Sequence, residues 1–203
     1  MKIKVIVFDL YNTLIEIKNK NHYYLKLHKL SRNGFDMNLM DYLNLTMKKN
    51  TNELFLLLPT DFKELFEKNI SILNNELESI KTYDETLKVL EELSQNFKIY
   101  LISNIATPYK KPVYDLGLNN YFTKMIFSCD YGLIKPDIDI FELIEMETKC
   151  NKKEILMIGD SEKSDINGAQ KMKWNFLKIN RNKVQRLGYE INSLNEIKQY
   201  IKS

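Results

Sequence analysis

The sequence predicts an α/β fold: a doubly wound, Rossmann-like parallel sheet interrupted by an inserted all-helical domain. Three observations predict it. Short, near-continuous apolar runs recur at wide intervals, as in strands covered on both faces. Amphipathic helical patterns separate them, which is the alternation of α/β proteins. The first interval alone is long and lacks a good strand; its 67 residues, Ile15 to Lys81, are too many for a crossover loop.

The elements follow in order. Ile3–Phe8 is the first apolar run. Within the long interval, His22–Leu30, Leu39–Lys49 and Asp61–Leu77 have helical periodicity, and Asp61, after Pro59-Thr60 and before Glu64, reads as a helix start. Residues 15–81 are therefore expected to form the inserted domain, and residues 1–14 with 82–203 the core. Thr86–Gln95 places Leu87, Leu90 and Leu93 on one helical face, ahead of a strand at Phe97–Ile102. A weaker strand follows at Lys124–Phe127. Asp137–Lys149 places Ile140, Phe141 and Ile144 on a second helical face, before strands at Ile155–Ile158 and Phe176–Ile179. The stretch from Ser193 reads as a closing helix, and Met146, Met157 and Met172 as core filler.

Composition narrows the function classes. Thirty Lys and Arg against 27 Asp and Glu leave a net charge of +3, no footprint for nucleic acid or an anionic membrane surface. At 44% hydrophobic and 11% aromatic, the chain is equipped for a packed core rather than for disorder. Six glycines and four prolines exclude low-complexity classes. Cys129 and Cys150 belong to no metal-like spacing and read as reduced thiols of a cytoplasmic protein. The N-terminal run is too short for a signal peptide, and Leu54–Leu58, the longest apolar stretch elsewhere, is too short to span a bilayer. Nothing in the sequence marks an oligomeric state.

The chemistry-bearing residues cluster where the strands end. The first strand runs into Asp9-Leu10-Tyr11-Asn12-Thr13, the second into Ser103-Asn104, and the strand at Ile155–Ile158 into Gly159-Asp160, with Asp165 five residues on. Lys135-Pro136 lies between the last two. Carboxyl ends of parallel strands share one sheet edge, so these residues are expected to converge on one crevice. Asp9 and Asp160 would repel each other there unless a divalent cation bridged them, and hard oxygen ligands without His or Cys favour Mg²⁺. Lys135 supplies positive charge for an anionic substrate and for a neighbouring carboxylate nucleophile. Ser103 and Thr13 can donate to phosphoryl oxygens. Asp165 is placed to hold a metal-bound water or Lys135, or alternatively to cap the helix after it.

The ordered set Asp-x-x-x-Thr, Ser-Asn, Lys-Pro and Gly-Asp-x-x-x-x-Asp resembles the haloacid dehalogenase superfamily over essentially the whole chain, and the insertion stands where that family carries its helical cap of the first type. The resemblance implies a hydrolase of small phosphorylated metabolites, cleaving a phosphoric monoester or an acyl phosphate through an aspartyl-phosphate on Asp9. It implies Mg²⁺ held by Asp9, the backbone carbonyl of Tyr11 and Asp160, with Asp165 supporting the metal. Thr13, Ser103, the backbone of Asn104 and Lys135 would bind the transferring group.

Two departures qualify that implication. Tyr11 stands where phosphatases of the family carry a second Asp as general acid and base, a loss that typically costs a factor of about 10²–10⁴. A Tyr there resembles instead the 2-haloacid dehalogenases, which attack carbon without a metal, although Asp160 and Glu162 depart from their pattern. A catalytically weak binding protein on the same scaffold is the third alternative. His22 and His28 are candidates to supply the missing acid from the cap, and Arg32 to meet a substrate anion; each reads equally as a surface or turn residue. Asn12 replaces the usual Gly at a turn that needs a left-handed backbone, which Asn tolerates best of the other residues.

Overall fold

In the computed structural model, residues 2–181 and 188–201 are described. The main sheet contains β1 (Val5–Phe8), β4 (Lys98–Ser103), β5 (Lys124–Phe127), β6 (Ile155–Gly159), β7 (Asn175–Ile179) and β8 (Glu190–Ile191). All its pairings are parallel, in the order β5-β4-β1-β6-β7-β8. Two further strands, β2 (Ile15–Ile17) and β3 (Ile80–Thr82), pair antiparallel where the chain leaves the core and returns to it. The expectation of no strand between Ile15 and Lys81 is corrected here: three-residue strands carry too little periodicity to be seen in sequence.

Both faces of the sheet are buried, which explains the unbroken apolar runs. In β1, Ile6 and Phe8 pack on one side with helix α6 (Thr86–Ser94), α7 (Lys111–Asp115) and the C-terminal α11 (Ile197–Ile201). Val5 and Val7 face the other side, against α9 (Ile138–Thr148) and α10 (Asn167–Met172). A Cβ on Gly168 would fall inside the Phe141 ring, so glycine at that position lets α10 lie directly on α9. Leu87 and Met146 were expected to be buried; they are 40% and 66% exposed, because Leu90 and Leu93, and Ile140, Phe141 and Ile144, complete the two buried faces without them.

The insertion holds α1 (Tyr23–Leu30), α2 (Leu39–Lys48), α3 (Thr51–Leu57), α4 (Thr60–Lys68) and α5 (Ile70–Glu78). The single helical stretch expected over Asp61–Leu77 is two helices. Asn69 breaks it, with φ −104° and its own side-chain amide donating to the Leu65 carbonyl at 2.8 Å. Asparagine also starts helices: Asn38 accepts from the Asp41 N–H, and Asn50 and Glu53 form a reciprocal capping box. The helices enclose an aromatic core, with edge-on pairs such as Tyr23–Phe66 at 5.4 Å and Phe35–Phe62 at 5.2 Å. Ala106 of the main domain joins that cluster and ties the two layers together. Among the described residues no helix is long and apolar enough to cross a membrane, and both cysteines are free thiols.

The Tyr42 hydroxyl is buried in the insertion core without a hydrogen-bond partner. An unpaired hydroxyl of this kind costs about 1–3 kcal/mol of desolvation. Tyr42→Phe is therefore expected to leave urea-unfolding stability unchanged or raise it by about 1 kcal/mol. A loss of that size would mean that the hydroxyl has a partner.

Candidate active site

Numbering only the main-sheet strands in chain order, the sheet runs 3-2-1-4-5-6. The order reverses beside β1, and a crevice opens there outside the strand ends. Asp9, Ser103 and Asp160 all stand at that edge, at the ends of β1, β4 and β6. The expected convergence is what the topology delivers.

At its centre is Lys135, 3% exposed. Its Nζ donates to Asp9 Oδ1 at 2.6 Å, Asp165 Oδ1 at 2.6 Å and the Ile102 carbonyl at 2.9 Å, which engages all three ammonium protons. Asn104 grips the Lys135 main chain from both sides: Lys135 N donates to its Oδ1 at 2.8 Å, and its Nδ2 donates to the Lys135 carbonyl at 2.9 Å. Asp165 accepts the Ser161 N–H on Oδ2 at 3.0 Å, so it holds Lys135 and the loop behind Asp160 at once. It does not cap the following helix; Ser161 caps that turn by accepting from the Ser164 N–H. A Cβ on Gly159 would collide with the Asp165 carboxyl, which is why glycine precedes Asp160.

The turn after Asp9 is closed by Leu14 and Ile15 N–H groups donating to the Leu10 carbonyl. Asn12 has φ 59°, the left-handed backbone expected of it, and its side chain adds a contact the sequence did not reveal, donating to Asp160 Oδ2 at 3.3 Å. Thr13 is fully buried and its Oγ1 donates to Asp9 Oδ2 at 3.3 Å. Ser103 is buried at the end of β4.

Carboxylate oxygens of Asp9, Asp160 and Asp165 lie within 4.8 Å of one another. Three carboxylates share one ammonium, a formal surplus of two negative charges. Burial pushes the Asp9 carboxyl up to about 7, against the pull of Lys135 and with Asp165 adding to the rise. Burial and Asp165 also raise Asp160. Burial alone would lower Lys135, but Asp165 and Asp9 outweigh it and hold the ammonium on. A hard divalent cation cancels the surplus, and an all-oxygen donor set suits Mg²⁺.

Tyr11 points away from this cluster. Its hydroxyl donates to the Tyr109 carbonyl at 2.9 Å, and burial, then Glu76 and Asp9, raise the phenol above its ordinary range. Its ring forms one wall of a cavity of about 280 Å³ between the insertion and the core, shared with Asn104 and the insertion residues Leu43 and Met47. Asn12, next in sequence, lines a polar hollow of about 490 Å³ on the Asp160 side. A hollow of about 510 Å³ beside Phe97 and Lys198 lies at the amino edge of the sheet, away from Asp9.

None of His22, His28 and Arg32 lines the cavity beside Tyr11. His28 is turned into the insertion, with Nε2 at 3.0 Å from the Met37 carbonyl and its ring against Tyr42. His22 is exposed at the start of α1, and Arg32 is exposed as well. Sequence reasoning missed two supports. Glu76, 2% exposed on α5, accepts from the Tyr109 hydroxyl and from the Tyr23 and His22 N–H groups. Arg181 lies over the Tyr83 ring at 3.4 Å and bridges Glu85 to the Thr13 carbonyl, bracing the turn after Asp9. Both are single charged residues outside any motif, so no sequence pattern announces them.

With the geometry in place, comparisons with known proteins agree with it. The family profile of haloacid dehalogenase-like hydrolases matches residues 3–173. The glyceraldehyde 3-phosphate phosphatase of Methanothermobacter thermautotrophicus is 25% identical over 129 residues, 59% of this chain and 57% of that protein. The chain thus matches little more than half the length of that relative. The HAD-family hydrolase YfnB of Bacillus subtilis, bound to magnesium, shares the fold over the full length of both chains, with TM-score 0.70 and 19% identity. A 2-haloacid dehalogenase from Pseudomonas syringae matches over 97% of both chains, with TM-score 0.67 and 21% identity. The chain belongs to the haloacid dehalogenase-like hydrolases.

Two outcomes follow from the charge balance. Lys135→Met leaves Asp9 and Asp165 buried without their counter-charge, and is expected to cost about 3–5 kcal/mol at pH 8. The loss should shrink toward pH 5, as the orphaned Asp9 carboxyl protonates; a loss that does not vary with pH would refute the pairing. The second concerns the metal. Because the folded-state pKa of Asp9 is raised above 3.8, its contribution to stability is complete below that value and is lost as pH rises through about 7. A cation reverses this by competing with the proton. Added Mg²⁺ should therefore raise the melting temperature more at pH 8 than at pH 5.5, and an equal rise at both would argue against binding at Asp9.

Proposed function

We propose that this member of the family is a Mg²⁺-dependent phosphohydrolase acting on a small phosphorylated molecule, with Asp9 as nucleophile and the helical insertion, residues 15–81, as its cap. One observation carries the reading: Asp9 is fixed from behind by a saturated lysine, while its surplus charge, shared with Asp160, calls for a divalent cation in front. The phosphatase name and magnesium in the matched proteins support it.

Asp9, Asp160 and the Tyr11 backbone carbonyl would hold the metal, with Asp165 behind them. When bound, Mg²⁺ supplies the positive charge that offsets the phosphoryl oxygens as phosphorus is attacked. An Asp9 oxygen forms the new bond to phosphorus, the bond to the leaving oxygen breaks, and its electron pair departs with that oxygen. Water then attacks phosphorus in the aspartyl-phosphate, releasing phosphate and restoring the carboxylate. Lys135 keeps Asp9 oriented throughout. Thr13, Ser103 and the Asn104 backbone would bind the transferring oxygens.

Among the described residues lining the cavity beside Tyr11, none is an Asp, Glu or His that could serve as acid for the leaving group. The Tyr11 proton is committed to the Tyr109 carbonyl and its pKa is raised, so Tyr11 acts as a wall rather than as a proton donor. Leaving groups that are already acidic, such as aryl or acyl phosphates, should therefore react best.

A second reading has its own observation. Tyr11 and the apolar cavity beside it suit attack on carbon by a 2-haloacid dehalogenase-like route, but that route gives no role to the surplus charge at Asp160. A release panel decides between them. Phosphate release is expected with Mg²⁺, to vanish with EDTA and with Asp9→Asn, and to rise for alkyl phosphates about tenfold or more in Tyr11→Asp. Metal-independent halide release would install the carbon reading instead.

A further inference from the structure

The geometry points to an apolar leaving group: among phosphate esters, this site selects those whose alcohol or phenol portion is small, uncharged and poor in hydroxyls. The inference rests on the phosphohydrolase reading and goes past it to the substrate class. The cavity beside the nucleophile turn supports it in three ways.

Its wall carries no Lys, Arg, His, Asp or Glu; it is built from rings and aliphatic chains, among them Tyr24, Leu43, Met47 and Ile105. A second anionic group on the substrate would find no counter-charge there. Four of the five polar side chains in the wall have a protein partner. The Tyr11 hydroxyl donates to the Tyr109 carbonyl, the Tyr109 hydroxyl to Glu76, and Thr46 Oγ1 to the Leu43 carbonyl, while Asn104 is held by both sides of the Lys135 main chain. The fifth, the Tyr24 hydroxyl, has no hydrogen-bond partner but is itself fully buried, so it is not presented to the cavity. Hydroxyls of a sugar or polyol would enter without partners.

The cavity, about 280 Å³, has room for a group such as benzyl. The polar hollow on the Asp160 side is a separate space: of its three cations, Lys178 and Arg181 are paired with Glu162 and Glu85 and Lys20 is the third, while Asp160 and Glu16 add negative charge.

The test compares benzyl phosphate with glycerol 3-phosphate, both esters of weakly acidic alcohols, so that polarity rather than leaving-group acidity is varied. With Mg²⁺ present, kcat/KM is expected to favour benzyl phosphate by about 10–100-fold, the range over which an apolar pocket discriminates. Met47→Gln, a half-buried position where the amide can reach solvent, should reduce that preference severalfold, chiefly by raising KM for benzyl phosphate. Leu43→Asn checks the same wall independently. Equal rates, or a preference for glycerol 3-phosphate, overturn the inference while leaving the phosphohydrolase reading intact. If no phosphate is released at all, direct binding separates the two: benzylphosphonate raising the melting temperature above the effect of 2,3-dihydroxypropylphosphonate upholds the apolar pocket without the chemistry. Equal shifts overturn it.

Discussion

A lysine ammonium buried among three carboxylates is the constraint on which the rest of the site depends. With all three protons of Lys135 engaged by Asp9, Asp165 and the Ile102 carbonyl, the lysine is a fixed counter-charge rather than a mobile arm. Its role is therefore orientation: it holds one oxygen of Asp9 and leaves the carboxylate facing the crevice. The ammonium also cannot neutralise its surroundings alone. The two residual charges are tolerable at such burial only if protons or a cation take them up, and hard oxygen donors choose the cation.

That arrangement has to be held from several directions, and the fold supplies them separately. Parallel strands bring Asp9 and Asp160 to one edge with β1 beside β6. Asn104, at the end of the next strand over, fixes the main chain of Lys135 rather than its charge. Gly159 gives Asp165 room to reach back. Arg181, paired with Glu85, braces the turn after Asp9 from the Asp160 side of the crevice. Each support acts on a different atom group, so loss of one displaces the cluster without dismantling the sheet.

Much of this was legible in the sequence because the sheet is buried on both faces and its strands are continuous apolar runs. The strand ends were legible for the same reason: a carboxylate or hydroxyl directly after such a run stands out. The β2–β3 pair was not, since three residues carry no usable period. The split at Asn69 was hidden because apolar spacing continues through it. Glu76 and Arg181 were invisible because their partners are backbone groups and tyrosine rings far along the chain, and no local pattern encodes such contacts. The burial of Lys135 was equally out of reach: it lies in a loop between Ile134 and Pro136, and only the convergence of Asp9, Ile102 and Asp165 on its ammonium removes it from water.

Tyr11 joins the catalytic question to the specificity question. An Asp at that position would place a titratable group beside Asp9 and add a further negative charge to a cluster already in surplus. The tyrosine instead turns its oxygen to the Tyr109 carbonyl and presents its ring to the cavity, with the Tyr109 ring edge-on at 6.0 Å. In the proposed phosphohydrolase, this one residue would both leave the site without that proton donor and extend the apolar wall. The two consequences converge on the same chemistry. A leaving group that needs no proton is one that carries its own charge well, and an aromatic oxygen does so while offering the apolar surface the wall accepts. Under the proposed chemistry a polyol would fail on both counts: its alkoxide is a poor leaving group without an acid, and its hydroxyls would meet a wall of rings and aliphatic chains. Reactivity and fit would then select in one direction, because both are set by where a single phenol points.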